Sequence, residues 1–376
     1  MSNTPQLPNL GQYFMKNLSM NLEKLGFNEW FQDNTEPAKL TEYQIARVIT
    51  VNKNSYIIQN GKNEIFAKIT GALMFNADSP LDYPAVGDWV YVQVFDDDSF
   101  AVIHEILPRK SLLKRKTSGK QIEFQLIAAN IDTAMIIQSL DFNYNIRRLE
   151  RYLVMINESH IHPLVLLSKS DLLAADEIEK KIADIHKLMP NLQILAFSSQ
   201  NDSGLDQVKE RLIAGKTFCL LGSSGVGKTT LLNNLMDEAL FETHKVRETD
   251  GKGRHTTTRR QLILLKNGAM IIDTPGMREL GNIAVESGLC DTFNEIAELS
   301  TQCRYNDCTH IHEKGCAVLL ALKDGMISEE RYRNYVKMNK ESVYNEMSYL
   351  EKRQKDKQFG KLSKSVMKHK NRARRS

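Results

Sequence analysis

The sequence predicts a multi-domain chain: an N-terminal OB-type β-barrel, an α/β domain on a mainly parallel sheet, and a mostly helical C-terminal zinc-binding domain. Three observations carry that prediction. Residues 42–108 fall into short alternating apolar runs separated by turn signals. Residues 131–273 alternate buried-strand and helix patterns around a glycine-rich loop. Three cysteines and a histidine then crowd into residues 303–316. The expected boundaries are an N-terminal extension at 1–41, the barrel at 42–108, the α/β domain at 109–285, the zinc domain at 286–350 and a basic tail at 351–376.

Composition sets the class. In 376 residues, 41% are hydrophobic and 26% charged, ordinary values for a globular protein. No apolar run reaches the ~20 residues of a membrane span, and the first residues lack a charged-then-apolar leader pattern. Five cysteines are too few and too unevenly spaced for a disulfide scaffold, so a cytoplasmic protein is expected. The net charge of +4 is unevenly spread. Residues 351–376 hold eleven Lys and Arg against two acids, a surplus of nine, so the rest of the chain carries −5. Such a tail points to a polyanionic partner, and RNA is the expected one.

Along the chain, 21–31 has near-helical apolar spacing broken at Gly26, which predicts a short helix packed on a neighbour. Apolar runs at 45–51, 55–59, 65–69, 89–94 and 101–106, with Asn60-Gly61 as a hairpin turn, predict five strands. Five strands in this space suit a Greek-key barrel of the OB type, a fold that commonly binds oligonucleotides. Residues 110–130 open with Arg109, Lys110, Lys114, Arg115, Lys116 and Lys120 and read as a linker or solvent-facing loop. Strands are then expected at 131–138, 163–167, 192–197, 217–221, 262–265 and 269–273. Helices are expected at 146–158, at 174–187 and from Gly204 to about Ile213. Strands alternating with helices predict a parallel sheet covered on both faces.

The chemistry lies at the strand ends. Gly222, Ser223, Ser224, Gly225, Val226, Gly227, Lys228 and Thr229 read G-x-x-x-x-G-K-T, followed by Thr230 and a helix pattern. Strand, glycine loop and helix together make a phosphate cradle, because backbone N–H groups converge at the positive end of a helix. Lys228 is placed to reach the β- and γ-phosphates and Thr229 to hold Mg²⁺. Asp273-Thr-Pro-Gly276 follows an apolar strand about 45 residues on. There Asp273 can hold Mg²⁺ and Gly276 can contact the γ-phosphate. Between them, 253–258 is polar and ends in three threonines. Thr257 or Thr258, in preference to Thr256, is expected to reach Mg²⁺ and the γ-phosphate from a mobile loop.

Two further strand ends are suited to reading a base. Ser168, Lys169, Ser170 and Asp171 resemble the [N/T]-K-x-D element of GTPases, and Ser198, Ser199 and Gln200 resemble S-A-x. The Asp171 carboxylate would accept from guanine N1–H and the exocyclic amine, and adenine offers neither. These elements precede the phosphate loop, whereas in the usual GTPase chain they come last. The order predicts a circularly permuted P-loop GTPase binding GTP and GDP. Downstream, Cys303, Cys308, His310 and Cys316 supply a tetrahedral donor set for a structural Zn²⁺, with His312 as an alternative imidazole. Cys219 and Cys290 are ordinary thiols. Helices are expected at 317–322 and 329–340.

Barrel, permuted GTPase and Cys₃His module, in that order, resemble the bacterial ribosome small-subunit-dependent GTPase A family over roughly residues 40–350. The resemblance implies a late-acting assembly factor that binds the 30S subunit, contacts 16S rRNA and hydrolyses GTP faster when bound there. The chain is expected to act as a monomer away from membranes. Three departures from common GTPase patterns stand out. Ser168 replaces the usual Asn or Thr, so one orienting hydrogen bond is expected to weaken or to be remade by water. Met277 follows D-T-P-G where many GTPases carry a water-orienting Gln, so intrinsic hydrolysis should be slow, with His255 as the in-chain candidate to position water. Gly225 stands where potassium-activated GTPases carry an Asn. The competing readings are a nucleotide-gated RNA-binding scaffold and a P-loop kinase.

Overall fold

The computed structural model describes residues 21–116, 124–236, 260–274 and 286–346. The chain divides into two compact units, one of residues 1–115 and 124–280 and one of 116–123 and 281–376. Among the described residues no helix is long and apolar enough to cross a membrane.

The barrel is formed by β1 (Gln44–Val51), β2 (Tyr56–Gln59), β3 (Glu64–Ile69), β4 (Trp89–Phe95) and β5 (Phe100–Ile106). Their order is β1-β2-β3-β5-β4, and β4 pairs back onto β1, so the sheet closes. Closure removes the exposed edges that would otherwise template aggregation. Ala46, Val48, Tyr56, Ile58, Ile65, Ala67, Val90, Val92, Ala101 and Ile103 point inward as its core. The 21–31 segment packs on the outside as expected, with Leu22, Leu25, Phe27 and Phe31 buried against Trp89, Tyr91 and Leu107.

β1 departs from simple alternation because both of its faces are covered. Ala46 and Val48 face the barrel core. Ile45 and Ile49, on the other face, belong to neighbouring apolar clusters. Arg47 lies between them at 1% exposure. Its guanidinium donates to the Leu25 carbonyl, to Thr217 Oγ1 at 2.8 Å and, at longer range, to the carbonyls of Gly87 (3.3 Å) and Asn130 (3.4 Å). Met270 Sδ is 3.1 Å from Nη1, and the charge sits 5.4 Å from the centre of the Trp89 ring. Burial pulls its pKa down to about 10, against the pull of Asp132 and Asp88.

The α/β domain has β8 (Thr133–Ser139), β9 (His162–Ser168), β10 (Gln193–Ala196), β11 (Thr217–Leu221), β12 (Gln261–Leu264) and β13 (Met270–Asp273). The order is β10-β9-β8-β11-β13-β12, all parallel except β12, which runs antiparallel to β13. Helices Ile146–Glu158 and Ala175–Leu188 cover one face, and Leu205–Glu210 and Lys228–Met236 the other. β12 also meets β1 at Gln261 and Thr50, so barrel and α/β strands form one hydrogen-bonded sheet.

The linker reading of 110–130 is overturned. β6 (Leu112–Lys116) and β7 (Phe124–Ala129) pair as a two-stranded sheet, with Leu113, Ile127, Ala128 and Ala129 buried. Arg109 is no solvent-facing cation: it forms two hydrogen bonds with the fully buried Asp88, at 2.8 and 2.7 Å, and reaches the Leu81 and Tyr83 carbonyls. The basic residues misled because only some of them face water.

The second unit has helices Glu286–Thr292, Asn294–Ser300, Ala317–Lys323 and Glu329–Glu346. Phe293, Ile296, Val318, Ala321 and Met338 are buried there, and Arg331 lies over the Phe293 ring at 4.5 Å while pairing with Glu295.

Arg47→Met should lower unfolding free energy by about 3 kcal/mol, because several buried acceptors lose their donor at once. Arg47→Lys should recover little, since an ammonium cannot span the same fork. Urea unfolding monitored through Trp89 reads both; a loss below about 1 kcal/mol would remove this side chain from its structural role.

Candidate functional site

β11 is buried along its whole length between β8 and β13, and it delivers the chain into the phosphate loop. Gly222 has φ +150°, and a Cβ there would stand 2.6 Å from the Ile137 carbonyl oxygen, so only glycine fits. Val226 turns into the core at 1% exposure and pins the loop from below. The Lys228 ammonium donates to the Gly222 and Ser223 carbonyls at 2.8 and 2.7 Å, and the helix Lys228–Met236 starts there. Thr229 and Thr230 fall in its first turn. Ser223 Oγ is buried with no hydrogen-bond partner among the described residues. An orphaned hydroxyl in a loop of this kind fits a phosphate oxygen, because a buried polar group without a partner is costly.

The base-reading segments meet this loop. Ser168, at the end of β9, donates from Oγ to the Val226 carbonyl at 2.7 Å. The serine hydroxyl thus reaches the glycine-rich loop directly. Lys169 adopts left-handed backbone at φ +60°, and Ser170 N–H donates to the Phe197 carbonyl at 3.1 Å. Asp171 accepts a hydrogen bond from Ser198 Oγ. Ser198 is fully buried, donates its N–H to the Ser203 carbonyl at 2.8 Å and accepts from Gln200 N–H at 3.0 Å. Ser168, Lys169, Asp171, Ser199, Gln200, Val226, Gly227 and Thr230 are among the residues lining one cavity of about 310 Å³. Segments more than 50 residues apart in sequence thus share one pocket. Sequence reasoning missed Asp141, whose carboxylate pairs with Lys169 at 2.7 Å. The Asp and Asn run at 141–145 after an apolar strand is a turn signal that could have drawn notice.

Asp273 ends β13 at 6% exposure, beside Leu220 of β11 in parallel register. Thr274 Oγ1 donates to the Leu220 carbonyl at 2.6 Å, which ties this strand end to the base of the phosphate loop. Gly276, Thr257, Thr258, His255 and Met277 lie outside the described residues.

In the second unit, one donor atom each from Cys303, Cys308, His310 and Cys316 lies within 4.8 Å of the others. Cys303 and Cys316 sulfurs are 3.8 Å apart, and His310 Nδ1 is 3.6 and 3.4 Å from them. A tetrahedron with Zn–S near 2.3 Å has sulfur–sulfur edges of about 3.8 Å, so the set fits zinc. His312 is not in the cluster. Burial holds the His310 imidazole below its ordinary pKa, toward the neutral form that metals bind. The loop is shaped by Glu313, which accepts from Thr309 and from the N–H groups of Ile311 and His312, and by Tyr332, which donates to the His310 carbonyl at 2.6 Å.

Comparison with known proteins places these features. A family model described as RsgA GTPase matches residues 106–283, and one described as 50S ribosome-binding GTPase matches 217–351. The small ribosomal subunit biogenesis GTPase RsgA 2 of Vibrio parahaemolyticus is 36% identical over 94% of this chain and 95% of its own length. Its counterpart from Lactiplantibacillus plantarum is 40% identical over 87% and 91%. The crystal structure of YjeQ from Thermotoga maritima matches with a TM-score of 0.59 and 26% identity, covering 80% of this chain and 99% of that one. YloQ, described as a circularly permuted GTPase, has the same fold at a TM-score of 0.56 and 24% identity, over 82% and 97%. The fold here is likewise a circularly permuted GTPase, with the strand ends at 168–171 and 198–200 ahead of the 222–230 loop.

The cluster geometry predicts one zinc per chain in metal analysis, with Cys308→Ser and Cys316→Ala each reducing it to a small fraction. Chelation should unfold the unit around 286–346, since such binding free energy is folding free energy. Purified chain free of zinc yet fully helical in that unit would contradict the assignment.

Proposed function

The chain belongs to the RsgA GTPase family, and on that premise we propose that it binds the small ribosomal subunit late in its maturation, hydrolyses GTP faster when bound there, and leaves once GTP is spent. The observation that carries this reading is the single cavity walled by both the base-reading residues and the phosphate loop. A guanine-nucleotide site needs that juxtaposition, whichever order the elements take in the chain.

Asp171 accepts from the guanine N1–H and amine, and its bond from Ser198 fixes which way the carboxylate faces. Lys169 lays its stem along the base. The 222–230 loop cradles phosphates with its N–H groups and with Lys228, which swings from the Gly222 and Ser223 carbonyls to the more negative phosphate oxygens. Thr229 and Asp273 are the residues to hold Mg²⁺, with Thr257 or Thr258 completing the set and the Gly276 N–H on the γ-phosphate. The bound cation would supply charge neutralisation across the transferred phosphoryl group. Met277 cannot align water, so His255 takes that role or the subunit provides it.

The barrel, the zinc-holding unit and the basic tail at 351–376 form the RNA-contacting equipment, with 16S rRNA as the polyanion. The chain acts as a monomer in the cytoplasm, and Zn²⁺ is a structural ion held by three thiolates and one imidazole with no open position for catalysis.

Purified chain should turn over GTP slowly, and added 30S subunits should raise kcat by a factor of ten or more. That stimulation should weaken steeply over a salt series from ~50 to ~200 mM, as phosphate contacts do. A rate indifferent to 30S overturns the ribosomal reading. Lys228→Ala should abolish turnover at every subunit concentration; full activity there would overturn the phosphate-loop assignment.

A further inference from the structure

Between β8 and the helix Ile146–Glu158 the chain makes a polar turn that touches both halves of the nucleotide cavity. Ser139 Oγ donates to Asp141 Oδ1 at 2.7 Å, and Asn143 N–H donates to the same oxygen at 2.9 Å. These bonds close an Asx-type turn and leave Oδ2 to accept from the Lys169 ammonium at 2.7 Å. The pair is sheltered, with Asp141 13% and Lys169 32% exposed in their side chains. Burial pushes the Asp141 carboxyl up, but the bonds from Lys169, Ser139 and Asn143 outweigh it and hold the group below the ordinary carboxylate range. Asn143 then reaches the phosphate loop, its Nδ2 lying 3.4 Å from the Ser224 carbonyl, while its own carbonyl and Oδ1 both accept from Arg148.

Lys169 has its backbone fixed on either side. Ser168 is bonded to the Val226 carbonyl, and Asp171 is bonded to Ser198. What those anchors leave free is the direction of a four-carbon stem. A lysine without a partner for its ammonium gives up that freedom each time a ligand binds, and affinity falls accordingly. Oδ2 of Asp141 fixes the far end of the stem in advance.

We propose that Asp141 is a positioning residue that sets Lys169 as one wall of the base cavity and, through the same turn, ties that wall to the phosphate loop. The proposal rests on the guanine-nucleotide reading of the cavity. Asp141 acts through Lys169, so its loss acts on the base and ribose end of the ligand. The loss should be the same for GDP and GTP.

Binding of fluorescent GDP and GTP analogues to the full chain tests this. Asp141→Asn keeps the turn's shape and an acceptor for Ser139 but removes the charge facing Lys169. It should weaken both nucleotides about equally, by roughly ten-fold, and raise KM far more than it lowers kcat. Asp141→Glu should recover part of the loss. In a Lys169→Ala background the Asp141→Asn change should cost little more, since the group it positions is gone. Unchanged GDP affinity in Asp141→Asn overturns the proposal. So does a loss of the same size with or without Lys169, which would mark the turn as structural support only. A wild-type chain that binds neither nucleotide overturns the cavity reading and this proposal with it, a result that the variants alone could not give.

Discussion

A buried guanidinium is the constraint from which much of the first unit follows. Among the described residues Arg47 has no carboxylate in direct contact, so its charge is carried by carbonyls, a hydroxyl, a thioether and an aromatic face. Those partners come from the N-terminal segment, the turn before β4, the turn between β7 and β8, and strands β11 and β13. A buried charge is tolerated only when its donors are met, so none of these segments can move away alone. The cavity around it is shaped to match. Gly87, whose carbonyl is one acceptor, has φ +94°, and a Cβ there would stand 2.1 Å from the Ala129 carbonyl oxygen. The packing leaves no room for any other residue.

This anchorage is informative about mechanism because of where it grips. Thr217 begins β11 and Met270 begins β13. The opposite ends of the same two strands carry the phosphate loop and Asp273. Arg47 therefore holds the barrel to the bases of the strands whose tips face the nucleotide. A second junction lies at β12, whose Gln261 pairs with Thr50 of β1. The adjacent Arg260 donates to the Leu126 carbonyl of β7 at 2.7 Å. Barrel and α/β strands are thus joined at two places, the Arg47 cluster and the β1–β12 edge.

What the sequence revealed, and what it did not, divides along the range of the interactions. The glycine-rich loop, the strand ends that share its cavity and the Cys₃His cluster could be located in the sequence because each is marked by residue types at short spacing. Strand and helix positions in the α/β domain follow from apolar periodicity, and the helix Ile146–Glu158 matched its expected bounds. Arg47 and the Asp88–Arg109 pair were not legible, because each depends on partners brought from tens of residues away. A basic residue within an apolar strand looks the same whether it faces water or a shared core. The β6–β7 sheet was hidden for a related reason: Lys114, Arg115 and Lys116 suggested solvent, while Leu113 and the 127–129 run turned inward. Ser168 shows the same dependence on range: its hydroxyl meets the Val226 carbonyl, 58 residues on, at 2.7 Å.

That last contact bears on how the permuted order brings the two halves of the cavity together. In this chain strands β9 and β10 precede the 222–230 loop, so no short connection aligns the two halves. Alignment must come from side chains that cross between them. Ser168 crosses to Val226, and Asn143 approaches Ser224. Thr274 ties the β13 end to β11. Asn143 and Thr274 link adjacent strands, β8 to β11 and β13 to β11, whereas Ser168 reaches from β9 past β8 to the loop after β11. Permutation changes which loop is cut and which is joined, but these polar ties depend on the order of strands in the sheet. The geometry is therefore held by that order rather than by neighbours in the sequence.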